Sequence, residues 1–309
     1  MYKINHIKIN GFRRLRQLDL PVRPLMVLIG ANGVGKTSVL DAFALLSASA
    51  SGALNSALSQ LGGLSSLLTR DKSEQLSLVV DMAVPGHKPL EYEVRLELNG
   101  TGYSVSREIL SQQRDGYDKP FTHIDSTGRD VRYYQIDERG LVRPNWEYNP
   151  LETSLSQVPK MFQQPEELRR ILATVVQYHA LDVGPRAPVK LPQQMKPASH
   201  PGVGGEDLVP YLYYLREGDK DRFATVVDTL KAAFSGFEEL SFPPVAAGML
   251  SMTWKDKNFR KPLYMNELSE GTLRFLWLVS LLQSPALSTI TLVDEPEVSL
   301  HPELLRTYP

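Results

Sequence analysis

The chain has 309 residues, enough for one large domain or two lobes, and with 42% hydrophobic and 22% charged residues it has ordinary globular composition, so a sizeable core is expected. A formal net charge of -1 gives no chain-wide electrostatic footprint for nucleic acid, so any such contact needs a local basic patch. The lack of cysteine excludes disulfides and thiolate metal sites and fits a reducing compartment, with the cytoplasm as the expectation.

In chain order, Met1 to Ile9 alternates like a strand rather than presenting a basic cap and an apolar run, which argues against a signal peptide. Leu25-Met26-Val27-Leu28-Ile29 reads as a strand buried on both faces. Lys36 to Leu46 reads as a helix, with Val39, Leu40, Phe43 and Leu46 on one face. Between them lies Gly30-Ala31-Asn32-Gly33-Val34-Gly35-Lys36-Thr37, which matches G-x-x-x-x-G-K-[ST]. Glycines let successive backbone N–H groups curl around phosphate oxygens, and the helix start adds a positive dipole end. Lys36 would reach the β and γ phosphates of ATP, Thr37 would ligate Mg²⁺, and Ser38 continues the nucleotide-binding set. The buried strand ahead and the amphipathic helix behind argue against a plain glycine turn.

After a small-residue stretch around Ser47 to Ser66 the pattern changes to period two. Leu76 to Val84, Leu90 to Leu98, Gly102 to Ile109 and Val131 to Ile136 read as strands, with Asn99-Gly100 as a tight turn. Tyr92, Val94, Leu96 and Leu98 face one way and Glu91, Glu93, Arg95 and Glu97 the other, so an antiparallel sheet with one wet face is expected. From Pro165, read as a first helical position, the pattern is helical through Val176. Gly184 to Gly205, rich in Pro and Gly and carrying Arg186, Lys190 and Lys196, reads as an exposed loop, with a substrate or nucleic-acid contact as the sharper alternative. Leu208 to about Phe234 reads as helical, and Leu250 to Trp254 as a strand leading back to the core. No internal repeat or sustained heptad pattern is present.

Leu268-Ser269-Glu270-Gly271-Thr272 precedes the apolar helix Leu273 to Leu282. That helix ends at Gln283-Ser284-Pro285, well short of the roughly 20 residues a membrane span needs. Ser269 and Gly271 at its start would form a second anion site, facing the γ-phosphate of ATP held by an opposing subunit, although a simple helix cap uses the same residues. Thr291-Leu292-Val293-Asp294-Glu295 is a short apolar strand ending in two carboxylates. Asp294 would hold Mg²⁺, and Glu295 would orient and deprotonate the attacking water.

With these motifs in this order, the chain resembles ABC-type ATPases of the SMC, RecF and OLD-like group, among the small bacterial ATPases found with defence nucleases. The resemblance rests on Gly11-Phe12-Arg13, the phosphate loop, Leu268 to Phe275, and Asp294-Glu295-Pro296-Glu297 with Ser299-Leu300-His301-Pro302. It implies an α/β P-loop NTPase of the ABC-ATPase head type, with a mixed central sheet, an antiparallel β subdomain and a helical lobe. The implied domains are a nucleotide-binding core at 1–160, a helical lobe at 161–265 and a returning segment at 266–309. It also implies that Arg13 lies near the nucleotide and that Ser299 to Pro302 contacts a partner subunit. Gln157 would sense Mg²⁺ and the γ-phosphate, with a polar loop before a helix as an equal account of that residue. Glu270 stands where transporters usually have glycine. The family continues with a switch histidine, whereas this sequence stops at Tyr308-Pro309, which is read either as part of a longer protein or as a chain that binds ATP with weakened hydrolysis.

The segment between Lys36 and Ser269 reads as sheet and compact helices, leaving no room for long coiled-coil arms. The expected function is an ATP-hydrolysing switch that forms a homodimer or higher homo-oligomer around ATP and Mg²⁺ to control a partner in genome maintenance or phage defence. The resemblance implies a nuclease or toxin subunit as that partner and leaves a DNA contact open, with no membrane involved. The alternative is an ATP-binding scaffold with little turnover that assembles such a partner. A transporter subunit is disfavoured by the Gly-Phe-Arg start and the acid-containing signature, and a GTPase by the absence of an Asn-Lys-x-Asp segment.

Overall fold

The computed structural model describes residues 2–128, 130–285 and 287–298. The chain divides into two compact units, residues 1–176 and 177–309.

The first unit opens with a hairpin, β1 (Lys3–Phe12) and β2 (Leu15–Pro21). Its turn is Arg13-Arg14, and just before it, within β1, Gly11 sits at φ 75°, where a Cβ would lie 2.3 Å from the Gln75 carbonyl oxygen, so no other residue fits. After an irregular stretch come α1 (Lys36–Ala50), α2 (Leu54–Gln60) and α3 (Leu64–Leu67). Then follow β3 (Gln75–Val84), β4 (His87–Asn99), β5 (Gly102–Gln112), β6 (Phe121–Ser126), β7 (Tyr133–Gln135) and β8 (Gly140–Val142). The eight strands form one sheet in the order β2-β1-β3-β4-β5-β6-β7-β8, antiparallel at every pairing. Two short elements complete the unit, α4 (Ser154–Gln157) and α5 (Gln163–Ala173), both packed on α1.

The period-two reading holds because the register stacks like on like. Leu78 pairs with Val94 and Val80 with Tyr92, all buried, while Glu91 and Glu97 on β4 are exposed. The expected strands are present with shifted ends, and the Asn99-Gly100 turn closes the β4–β5 hairpin with Gly100 at φ 60°. Leu98 is the exception to the buried face: it is exposed beside the Asn99-Gly100 turn, where it pairs with Tyr103. Under the sheet Glu108 is fully buried, a feature that periodicity does not announce. Its carboxylate accepts from the Tyr92 hydroxyl (3.0 Å) and from the backbone N–H groups of Ser154 (2.5 Å) and Leu155 (2.8 Å), tying α4 to β5. Burial pushes its pKa up despite those donors.

Three expectations need correction in this unit. Leu25–Ile29 is not a strand, and Leu25, Val27 and Ile29 are 78%, 73% and 92% exposed. An apolar run records a tendency to be buried but not a partner, and the segment is paired with no strand of this unit's sheet. The helix expected over Lys36 to Leu46 runs on to Ala50, and α2 follows it within the small-residue stretch. Finally α5 starts two residues before Pro165 and stops at Ala173, leaving Val175 and Val176 outside it.

The second unit opens on β9 (Val176–Tyr178) and continues through β10 (Gln193–Gln194), α6 (Leu208–Gly218) and α7 (Lys220–Ala233). Next are β11 (Phe237–Ser241), β12 (Met249–Leu250), β13 (Thr253–Asp256) and β14 (Leu263–Tyr264). It closes with α8 (Glu270–Leu282) and β15 (Thr291–Val293). The sheets are small: β10-β12, β11-β13-β14 and β15-β9. Its core is aromatic. Trp254 packs edge-on against Phe234 (5.3 Å between ring centres) and on Phe237 (4.3 Å), and Phe234 meets Phe275 of α8 at 5.5 Å.

The helical stretch expected from Leu208 to about Phe234 is two helices that meet at Gly218-Asp219, where Asp219 accepts from the Arg222 N–H and starts α7 afresh. Leu250 to Trp254 is likewise two strands with Ser251-Met252 between them. The Pro/Gly-rich stretch 184–205 departs from an exposed loop at several anchors. Gln193 is buried, donating to the carbonyls of Pro188 (3.0 Å) and Gly205 (2.6 Å) and accepting from Val209 N–H (2.8 Å). The Trp277 indole donates to Gly202 (2.9 Å). Arg186 remains exposed, and Lys196 pairs with Asp207 at 2.7 Å. No helix among the described residues is long and apolar enough to cross a membrane.

Candidate functional site

In the first unit the phosphate loop leads into α1 without a side-chain cap. Gly35 is the N-cap, at φ 112°, and Gly33 is at φ 78°. A Cβ on Gly35 would lie 2.8 Å from a methyl of Leu15, and one on Gly33 would lie 3.0 Å from the Arg14 guanidinium. The positive φ angles favour glycine at both positions, and a side chain there would also have to push aside Leu15 or Arg14. No acid stands in the first turn of α1, so the helix start presents unopposed N–H groups and the positive end of its dipole. Lys36 Nζ bends over the loop, 2.8 Å from the carbonyl of Gly30 and 3.1 Å from that of Ala31. Thr37 is exposed at the helix start, while Ser38 is buried. The loop thus brings together backbone donors, a cationic side chain and a hydroxyl next to it, groups of the kind that phosphate binding uses.

Arg13 stays close to this helix but is already engaged. It sits at φ 50°, and its guanidinium pairs with Asp41 of α1. Arg14, its neighbour, is the residue that reaches the loop, donating to the Gly33 carbonyl at 2.8 Å. Reading the sequence singled out the first arginine and missed the second; the doubled Arg13-Arg14 was the available signal.

Gln157 does not join this group. Its amide accepts from Asn149 N–H (2.6 Å) and donates to the carbonyls of Asn149 and Thr153 (3.1 Å each). Thr153, the cap of α4, donates to the carbonyl of Ser49 at 2.8 Å. Ser49 lies at the far end of α1 from Thr37, about 18 Å away at ~1.5 Å per helical residue. The expectation that Gln157 would sense the metal and the γ-phosphate is therefore corrected: the residue closes the 149–157 turn.

In the second unit Ser269 caps α8. Its Oγ accepts from Thr272 N–H at 3.1 Å and lies 2.7 Å from the Thr272 hydroxyl. Leu268 is buried and fixes the helix entry, while Ser269 and Glu270 are exposed and Gly271 half-buried. Glu270 occupies the first turn, where it complements the dipole. The N-terminus is thus presented outward, with its hydroxyl turned back onto its own helix.

In the same unit β15 ends at the two carboxylates. Asp294 N–H donates to the Tyr178 carbonyl at 2.8 Å, anchoring the half-buried Asp294 beside β9. Glu295 is exposed and adopts φ 50°, a left-handed conformation rare for its type, stabilised by a bond from Val298 N–H to its carbonyl (3.1 Å). Arg274, one turn into α8, donates to the carbonyls of Leu181 (3.1 Å) and Val298 (3.4 Å), clamping both sides of this turn. His179 and Arg274 line a cavity of about 10 Å³ beside Asp294 and Glu295, large enough for one water. Neither residue was singled out from sequence, since an isolated His or Arg carries no motif. The Ser299 to Pro302 turn lies outside the described residues.

Residues 25–307 match the protein family described as "AAA domain, putative AbiEii toxin, Type IV TA system". A comparison with curated proteins finds no match. Among solved structures, the chain is similar to one titled "Structure of the recombination mediator protein RecF-ATP in RecFOR pathway", at 12% identity and a TM-score of 0.39, covering 99% of this chain and 91% of that one.

Proposed function

From the premise that the chain belongs to this AAA-domain family, which the match over residues 25–307 establishes, we propose that it is an ATP-driven switch whose subunits pair around bound nucleotide. The observation that carries the reading is the glycine-capped start of α1, with Lys36 over the loop and no acid in the first turn. In this reading the N–H groups of residues 33 to 37 and Lys36 hold the β and γ phosphates, and Arg14 braces the loop through Gly33. Thr37 and Asp294 are the residues that would hold Mg²⁺, which neutralises phosphate charge when bound. Glu295, exposed just after β15, orients and deprotonates the attacking water. Ser269 and Gly271 of one copy face the γ-phosphate held by another, so ATP joins two copies. The family description, which names a toxin and a toxin–antitoxin system, supports a controlled toxin or nuclease partner in defence, with genome maintenance as the wider setting that the sequence resemblance suggests.

The test is the solution mass of Glu295→Gln protein with Mg²⁺ and either ATP or ADP. A larger assembly with ATP alone supports the switch. The same mass in both states overturns it: an oligomer in both means a constitutive scaffold, and a monomer in both means that ATP does not join copies of this chain.

A further inference from the structure

On the first unit, away from the phosphate loop, a cleft of about 560 Å³ opens between the end of β5, strands β6 and β7, and the start of α5. Its volume falls in the range of small-molecule sites, roughly 300–1,000 Å³. Three features of its lining are unusual together. Arg114 holds its guanidinium against two aromatic rings, 4.4 Å from the centre of Tyr117 and 4.7 Å from that of Phe121. It forms no ion pair with an acid among the described residues, so its N–H groups are available to an anion. Phe121 in turn meets Tyr134 at 4.5 Å and His123 at 4.8 Å, both edge-on, giving a wall of aromatic faces and edges.

The third feature is His123 itself. Its Nε2 is buried and has no hydrogen-bond partner, a condition that native interiors rarely leave uncorrected. Burial, with the Arg114 charge nearby, lowers its pKa to about 4, so at neutral pH the ring is uncharged and offers one donor or one acceptor, not a cation. An anion is not what this atom needs. The ring lines the cleft, and this atom would meet the polar edge of a neutral heterocycle lying among the rings once the imidazole turns toward it. An anion has its own place at the rim, where Arg114 is joined by the start of α5. That helix has no side-chain cap, and its first-turn acid Glu166 is neutralised by two bonds to Arg169, each 2.7 Å. Lys88 also lines the rim, paired with the exposed Asp115 at 3.2 Å.

We propose that this cleft binds a nucleotide, its base packed among Phe121, Tyr134 and His123 and its phosphate held by Arg114 and the start of α5. The cleft has room for one nucleotide unit. The same chemistry is offered by a free mononucleotide and by an unpaired nucleotide of a single strand, where base stacking on aromatic side chains and cation contacts to phosphate combine. The site is separate from the phosphate loop and does not depend on the role assigned to that loop.

The experiment uses the full chain with Lys36→Ala, to weaken nucleotide binding at the phosphate loop, and titrates AMP and a short oligothymidylate of about a dozen residues by calorimetry. At least one probe is expected to bind, and adding Arg114→Ala in the same background should weaken that binding about ten-fold or more, as for loss of a charge-assisted hydrogen bond. Arg114 is exposed, so its removal leaves the core intact, and an unchanged melting temperature verifies this. His123→Phe should weaken binding of the same probe by removing the polar edge while keeping the ring. Binding of AMP alone identifies a free nucleotide as the ligand, and binding of the oligonucleotide alone, or far more tightly, identifies a strand. Neither probe binding to folded protein overturns the proposal, and so does binding that Arg114→Ala leaves unchanged.

Discussion

Two helix starts in this chain are built to opposite plans. Helix α1 begins at Gly35 with no side-chain cap and no acid in its first turn, whereas α8 begins at Ser269 with its hydroxyl on Thr272 N–H and Glu270 in the first turn. An N-terminus has about four unsatisfied N–H groups and a positive dipole end. At α1 those groups are left for a ligand, and at α8 the chain partly satisfies them itself. In the proposed reading the first serves as an anion site in a single copy, while the second should engage phosphate only when the anion displaces or extends an existing cap and overcomes the charge of Glu270. That asymmetry suits the proposed switch, in which nucleotide would bind to one copy first and pairing would follow.

The largest effects should come from the open end. Lys36→Ala removes the cation over the loop and should lower ATP affinity by roughly a hundred-fold or more, as for losing a charged hydrogen-bonding group of about 3 kcal/mol. Gly35→Ala should act in the same direction, because the alanine would have to hold φ 112° with its methyl 2.8 Å from Leu15. Calorimetric titration with ATP checks both, and near-natural affinity in either would mean that α1 is not the phosphate site.

The two plans also differ in how far the sequence disclosed them. The phosphate loop was legible because glycines, lysine and threonine at fixed spacing have few other uses, and the backbone at Gly33 and Gly35 agrees with it. The cap at Ser269 was legible for the same kind of reason, since a serine ahead of an apolar helix has a local job. What failed needed information from elsewhere in the fold. Leu25–Ile29 looked like a buried strand, yet a strand exists only with a ladder partner, which no local pattern specifies. Gln157 had the right residue type in a plausible setting, but Thr153 ties its turn to Ser49, at the wrong end of α1. Arg14, His179 and Arg274 act through carbonyls and cavities that only the folded chain assembles. Glu108 is a charged type under a sheet, and period-two reading assigns such residues to the wet face.

At the capped end, Ser269→Arg separates pairing from binding. The bulky cation should block ATP-driven assembly of Glu295→Gln protein while a single copy keeps its ATP affinity. Light scattering with ATP and Mg²⁺ reads the first and calorimetry the second. Assembly at natural concentrations would remove Ser269 from the interface. Ser269→Ala is milder, losing the cap and about 1 kcal/mol of stability, seen as a drop in melting temperature.

The smallest effect is the most discriminating. Glu270→Gln keeps the size of the side chain and deletes its charge. If α8 is only a capped helix, the substitution withdraws a favourable dipole interaction of about 0.3–1 kcal/mol, so stability falls slightly and nothing else changes. If α8 also receives a phosphate from a second copy, the same charge opposes that anion, and its removal should tighten ATP-dependent pairing several-fold while stability still falls. The two readings thus share the sign of the stability change and differ in pairing, which sedimentation of the Glu295→Gln and Glu270→Gln double variant over a range of protein concentrations would measure. Lower melting temperature with tighter pairing identifies α8 as the second phosphate site; lower melting temperature with unchanged pairing leaves Ser269 a cap and nothing more.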